Sequence, residues 1–160
     1  MLSAVWLIFI GLVAVVAVSD VVSYRIPNWA TLALLALFVG VLAWHRADVP
    51  WPWHLAAFVT ALTIGILFFT FRQMGAGDAK LFAVLALWAG FAAIIPLLFF
   101  VAIAGMFELL VLTIARRMVA GSTRPLPRVL TAKQGVPLGA GLALGAAIAS
   151  FWFPSWLWMA

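Results

Sequence analysis

The chain of 160 residues contains no cysteine, two histidines, one tyrosine and four acidic residues. Without cysteine there is no disulfide, no thiolate zinc site and no cysteine nucleophile, and two histidines are too few for a metal cage. No metal or cofactor is expected. Charge is equally scarce: Asp, Glu, Lys and Arg make up 8% of the chain, against about a quarter in soluble proteins, which leaves too little polar surface to coat a water-soluble domain. Hydrophobic residues account for 68% and the mean hydropathy is +1.27, so the expected solvent is the bilayer. The net charge of +5 does not point to nucleic acid, because nine Lys and Arg scattered among apolar runs form no solvated basic face.

One spanning helix takes roughly 20 apolar residues, so the length predicts an all-α, polytopic membrane protein of about six transmembrane helices forming a single domain over residues 1–160. The apolar runs fall at about residues 2–22, 30–44, 53–71 and 136–156, and residues 79–115 are too long for one crossing. Gly90 and Pro96 mark the expected turn between two helices there. No basic residue precedes the first run, so it is expected to be retained as a helix rather than cut as a signal at Ala17-Val18-Ser19. His45 and His54 flank Trp51-Pro52-Trp53, an expected interfacial anchor.

The basic residues test the helix count. Arg25, Arg72, Lys80, Arg116, Arg117, Arg124, Arg128 and Lys133 belong to or flank the first, third and fifth loops, and only Arg46 falls on the other side. By the positive-inside rule the three odd loops are cytoplasmic and both termini are non-cytoplasmic. The stretch from Arg116 to Lys133 reads as an orientation signal and a contact for anionic lipid.

Four acids remain. Asp48 beside Arg46 is a solvated loop charge. Asp20 ends the first span and Asp78 opens the fourth from the same side, which puts two carboxylates at one depth. Each has an ordinary structural reading, Asp78 as a helix cap and Asp20 as a boundary residue paired with Arg25. Together they offer more. Two carboxyls close together in a poorly solvated site do not both ionise readily, so one holds a proton and the other is charged. The anion can take a proton from water attacking a peptide carbonyl, and the acid can polarise that carbonyl and protonate the leaving amine. Gly75 and Gly77, just before Asp78, offer backbone conformations closed to other residues and let a substrate strand come close. Glu108 lies about 12 Å deeper than Arg116 on a helix. It reads as a buried helix contact or an electrostatic partner for substrate, outside the pair.

Three blocks carry a family resemblance: Asp20-Val21-Val22-Ser23-Tyr24-Arg25-Ile26-Pro27-Asn28-Trp29, then Gly75-Ala76-Gly77-Asp78-Ala79-Lys80-Leu81, and a weaker Val136-Pro137-Leu138-Gly139. In these the chain resembles the prepilin peptidases, or type IV leader peptidases, membrane aspartic proteases with a Gly-x-Gly-Asp motif. Leu138 stands where an aromatic is common in that family. The resemblance implies a catalytic pair, Asp20 and Asp78, that cuts a short basic leader from a pilin-like precursor at the cytoplasmic face of a bacterial inner membrane. With no cysteines and no extra cytoplasmic region, the chain resembles the short, peptidase-only form associated with tight-adherence (Flp-type) pili. Pro27 and Asn28 are expected to end the first loop and start the second helix. Arg25 and Lys80 are expected to set topology or tune the carboxylates.

Two other classes fit part of this pattern. A small proton-coupled transporter also needs membrane carboxylates, but it would be expected to repeat its interrupted helix, and no second Gly-Asp break occurs. A non-catalytic pilus-assembly subunit would keep the helices without needing the acids.

Overall fold

The structure is a computed structural model of the chain and describes residues 4–44, 50–119, 128–130, 136–154 and 157. His45, Arg46, Asp48, Arg124 and Lys133, read above as interfacial, loop or topology residues, lie outside the described residues. Within the described residues the fold is all-α. Its six helices are α1 (Ala4–Ser23), α2 (Asn28–Trp44), α3 (Trp51–Thr70), α4 (Ala76–Ala89), α5 (Ile94–Met118) and α6 (Leu138–Ala149).

Three stretches are long and apolar enough to cross a membrane: Ala4–Ser23, Trp51–Thr70 and Phe91–Met118. Their outer faces are bare hydrocarbon, with Leu7, Val18, Ile66, Phe107 and Ile114 all exposed. A water-soluble monomer does not carry so continuous an apolar surface, whereas lipid tails solvate it. The helices differ sharply in burial. α4 is about 21 Å long at 1.5 Å per residue, and every residue from Ala83 to Ala89 is buried. It is the bundle's central post. Trp88 fills the middle, with ring centroids 4.8 Å from Phe9 and 5.6 Å from Phe38 and its indole N–H donating to the Leu34 carbonyl at 3.1 Å. α1 and α2 are thereby pinned to α4 by a satisfied polar atom inside an aromatic cluster.

Lipid gives little hydrophobic drive for helix association, so close backbone approach by small residues has to supply the packing. Two pairs of helices use it. A Cβ on Gly65 of α3 would lie 2.9 Å from the Ala79 Cβ of α4, and a Cβ on Gly145 of α6 would overlap the Val101 backbone of α5.

Several boundaries differ from the sequence expectation. Gly90 does make the turn, at φ +58° and ψ −178°, where a Cβ would also strike the His54 ring. Pro96 is not part of that turn but lies in the first turn of α5, where its missing N–H costs nothing. α5 runs on to Met118, so Arg116 and Arg117 form its last turn, favoured by the negative end of the helix. α6 is shorter than its apolar run, giving way to a 3₁₀ turn, Ser150–Trp152, just before Pro154. Trp51, Pro52 and Trp53 are exposed in the first turn of α3 rather than in a loop, and His54 is buried there, donating from Nδ1 to the Leu87 carbonyl at 2.7 Å. His54 packs the Gly90 turn and is not an interfacial anchor.

The tight α5–α6 seam yields a stability test. Gly145→Ala is expected to lower the stability of detergent-solubilised protein by about 1–3 kcal/mol, as over-packing does. Gly11→Ala, where a Cβ meets nothing within 4 Å, is expected to be neutral. Thermal unfolding of the two variants beside wild type checks both.

Candidate active site

One end of the bundle gathers the exit of α1, the start of α2, the α3–α4 connection and the start of α6. The exits of α1 and α3 are built alike. Tyr24 (φ 53°) and Arg72 (φ 58°) both take the left-handed conformation after the last helical turn. Tyr24 N–H bonds the Asp20 carbonyl at 2.8 Å; Arg72 N–H bonds Phe69 and Gln73 N–H bonds Phe68, each at 2.9 Å. The second pattern is a Schellman closure with arginine where glycine is usual. Strain of this kind tends to collect at functional sites, and here it directs the two connections across the end of the bundle. On the far side of the first, the Pro27 carbonyl accepts from Ala30 at 3.0 Å and α2 begins at Asn28.

Asp20 lies in the last turn of α1 with 5% of its surface exposed. Its Oδ2 accepts from the Ala140 backbone N–H at 3.1 Å, across 120 residues of sequence. Pro137 caps α6, and this N–H is shared between the Pro137 carbonyl, at 3.0 Å, and the carboxylate. The contact needs Gly139. A Cβ there would stand 2.8 Å from Asp20 Oδ2 and 2.7 Å from Ile26 Cδ1.

Asp78 is the third residue of α4, and its Oδ2 accepts from the Gly75 N–H at 3.1 Å, closing the helix start on itself. The glycines beside it work through space rather than conformation, which corrects the expectation. Gly75 has an ordinary extended backbone, φ −72° and ψ 151°, and Gly77 is helical. A Cβ on Gly75 would come within 2.8 Å of Asp78 Oδ2, and one on Gly77 within 3.3 Å of the Ile26 Cβ. Removing both Cβ atoms lets the carboxylate fold back and lets the first connection lie on α4.

The two carboxylates share a cavity. It measures about 400 Å³ and is lined by Asp20, Tyr24, Arg25, Ile26, Asn28, Gly75, Ala76, Gly77, Asp78 and Lys80. Of the two acids and the six residues expected to support them, Arg25, Pro27, Asn28, Gly75, Gly77 and Lys80, all but Pro27 line this cavity, and Pro27 acts one step back by starting α2. Arg25 and Lys80 are exposed at its edge, and neither forms an ion pair with Asp20 or Asp78 among the described residues. Asp20 is therefore held by a backbone amide and not, as a boundary residue would be, by Arg25. A second cavity of about 740 Å³ adjoins the first at Gly75 and Asp78 and is bounded by Thr70, Arg72, Gln73, Val136 and Leu138. Asp78 thus stands between two open spaces.

The N-termini of α4 and α6 both point their positive ends at this site, which suits negative charge developing between them. Among the described residues no group of three or more His, Cys, Asp and Glu is placed to hold a metal ion. Three contributors carry little signal in the sequence. Gly139 and the Ala140 amide had only a weak block to mark them, since backbone donors leave no trace in side-chain pattern, and Tyr24 was one letter inside the first block.

A family model described as the type IV leader peptidase family matches residues 7–111, more than half of the chain and including Asp20, Asp78 and Glu108. The chain belongs to that family. Searches among curated proteins and among solved structures gave no match.

Gly139→Ala is expected to push the Asp20 carboxyl off the α6 amide and lower peptidase turnover tenfold or more, the scale on which small misplacements act. Helix content by circular dichroism should stay unchanged. Wild-type turnover by this variant would show that the Asp20–Ala140 contact is dispensable.

Proposed function

We propose that this member of the type IV leader peptidase family is a membrane aspartic endopeptidase of the short, peptidase-only form, cutting the basic leader from a pilin-like precursor at the cytoplasmic face of a bacterial inner membrane. The observation that carries the reading is that Asp20 and Asp78, 58 positions apart, line one cavity at a bundle end edged by basic residues. The family match supports peptidase chemistry in general.

In the proposed reaction the pair holds one proton. The charged carboxylate takes a proton from water as its oxygen bonds the scissile carbonyl carbon, while the protonated partner donates a hydrogen bond to the carbonyl oxygen. The tetrahedral intermediate collapses as the C–N bond breaks and the departing nitrogen gains a proton from the pair. One proton is left on the two carboxyls, which are ready for the next water. No covalent bond forms between enzyme and substrate, so no nucleophile other than water is needed. The two cavities that meet at Asp78 give an extended strand room on both sides of the cut.

Six crossings put the 24–27 connection, the 71–75 connection and the start of α6 on one side of the membrane, and the positive-inside rule assigns that side to the cytoplasm. The termini are then non-cytoplasmic.

Two experiments test this. Co-expressed with a leader-bearing pilin-like precursor, wild type is expected to yield the shortened product by mass, and Asp20→Asn and Asp78→Asn are each expected to leave the precursor whole. Processing by either variant would contradict the pair, and a scaffold subunit would tolerate both changes. The absence of cysteine makes the chain a clean background for topology. Gln73→Cys is expected to react with a membrane-impermeant maleimide only after the cytoplasmic side is opened; labelling from the outside of intact cells would invert the topology.

A further inference from the structure

Glu108 has no part in the chemistry above and lines neither cavity, yet it reaches the turn of α6 that also meets Asp20. Its Oε2 is buried and has no hydrogen-bond partner. Native interiors rarely leave a carboxyl oxygen in that state without a reason, and ionisable groups at membrane depth are functional candidates by default. The position is specific. Glu108 approaches α6 one residue beyond the amide that holds Asp20: a Cβ on Gly141 would lie 3.0 Å from Glu108 Oε2 and 3.1 Å from the Gly105 Cα. Gly105 and Gly141 bring α5 and α6 close enough for the glutamate to reach that turn. The Gly141 amide faces the carboxyl but makes no bond to Oε2.

Among the described residues, the charged or titratable ones around α5 are Asp20 and Tyr24 from α1 and its exit, Asp78 and Lys80 from α4, and Arg116 and Arg117 on α5 itself. α6 has none. The first turn of α6 is thus flanked by Asp20 on one side and Glu108 on the other.

We propose that Glu108 is a positioning residue of the site, acting on Asp20 across the first turn of α6, so that three carboxyls share the site's protons where two were expected. The proposal rests on Asp20 and Asp78 being the catalytic pair. During turnover Asp20 changes its protonation, and a third carboxyl beside it sets the pH range over which that change is easy.

Glu108 is the chain's one glutamate, so carbon-13 glutamate gives a single side-chain carboxyl signal in the full-length protein. Titrated by NMR in lipid nanodiscs, that signal is expected to move to lower pH by roughly half a unit or more in Asp20→Asn, because removing a neighbouring negative charge eases ionisation of the one left. Identical titration in wild type and Asp20→Asn overturns the proposal. A second readout does not depend on that variant. The pH profile of precursor cleavage is expected to be displaced in Glu108→Gln and to stay near wild type in Glu108→Asp, which keeps the charge. A wild-type profile in Glu108→Gln also overturns the proposal. If wild type cuts no precursor, the peptidase reading fails instead, and the NMR titration still decides whether Glu108 and Asp20 interact.

Discussion

The hydrogen bond from the Ala140 amide to Asp20 is the contact on which the geometry of this site depends. It joins the first helix to the last across 120 residues. A carboxylate in a poorly solvated interior needs donors, and the Ala140 amide at the start of α6 supplies one while also bonding the Pro137 carbonyl. The result is a fixed carboxyl at one wall of a cavity whose opposite wall, Asp78, is tied in the same way to the start of α4. Both acids keep the capping roles that helix ends invite. Those roles hold them still and point them at shared space, so they support the proposed chemistry rather than compete with it.

The rest of the bundle supports that end. α4 carries Asp78 on a post that is buried from Ala83 to Ala89 and anchored by Trp88 to α1 and α2. α3 lies against it because Gly65 faces Ala79, and α6 lies against α5 because Gly141 and Gly145 have no side chain. Asp20 is carried on α1, its amide partner on α6, and Glu108 on α5. A shift in any of these glycine-lined seams therefore reaches the carboxyls through rigid helices.

How much was legible in the sequence follows from what side chains record. The six apolar runs, the start of α2 at Asn28, the turn at Gly90 and the two acid blocks were readable because each is written in hydropathy, proline, glycine or charge. Helix count and charge placement put Asp20 and Asp78 on one side and at one depth, while the cavity between them needs the folded bundle. Other features were not readable. The role of Gly139 depends on a donor in the backbone, which every residue but proline has. His54 reads as part of an interfacial anchor beside Trp53, but the Gly90 turn folds over it and buries it. Gly75 and Gly77 suggested unusual backbone angles, whereas the structure uses their missing Cβ atoms. The reach of α5 to Met118 escaped a hydropathy reading because arginines look like an end even when they complete the last turn. Glu108 stood alone in its segment, and only the crossing of α5 and α6 brings it near Asp20.

The family match ends at residue 111, before α6, yet α6 supplies the amide that receives Asp20. During synthesis the first five helices emerge and can insert while that partner is still inside the ribosome. The carboxyl of Asp20 then has no Ala140 to settle on, and the wall formed by Val136 and Leu138 is missing too. The centre is therefore completed only when the final segment docks, so a chain interrupted on the way is left with its acids but without the seat that aligns them.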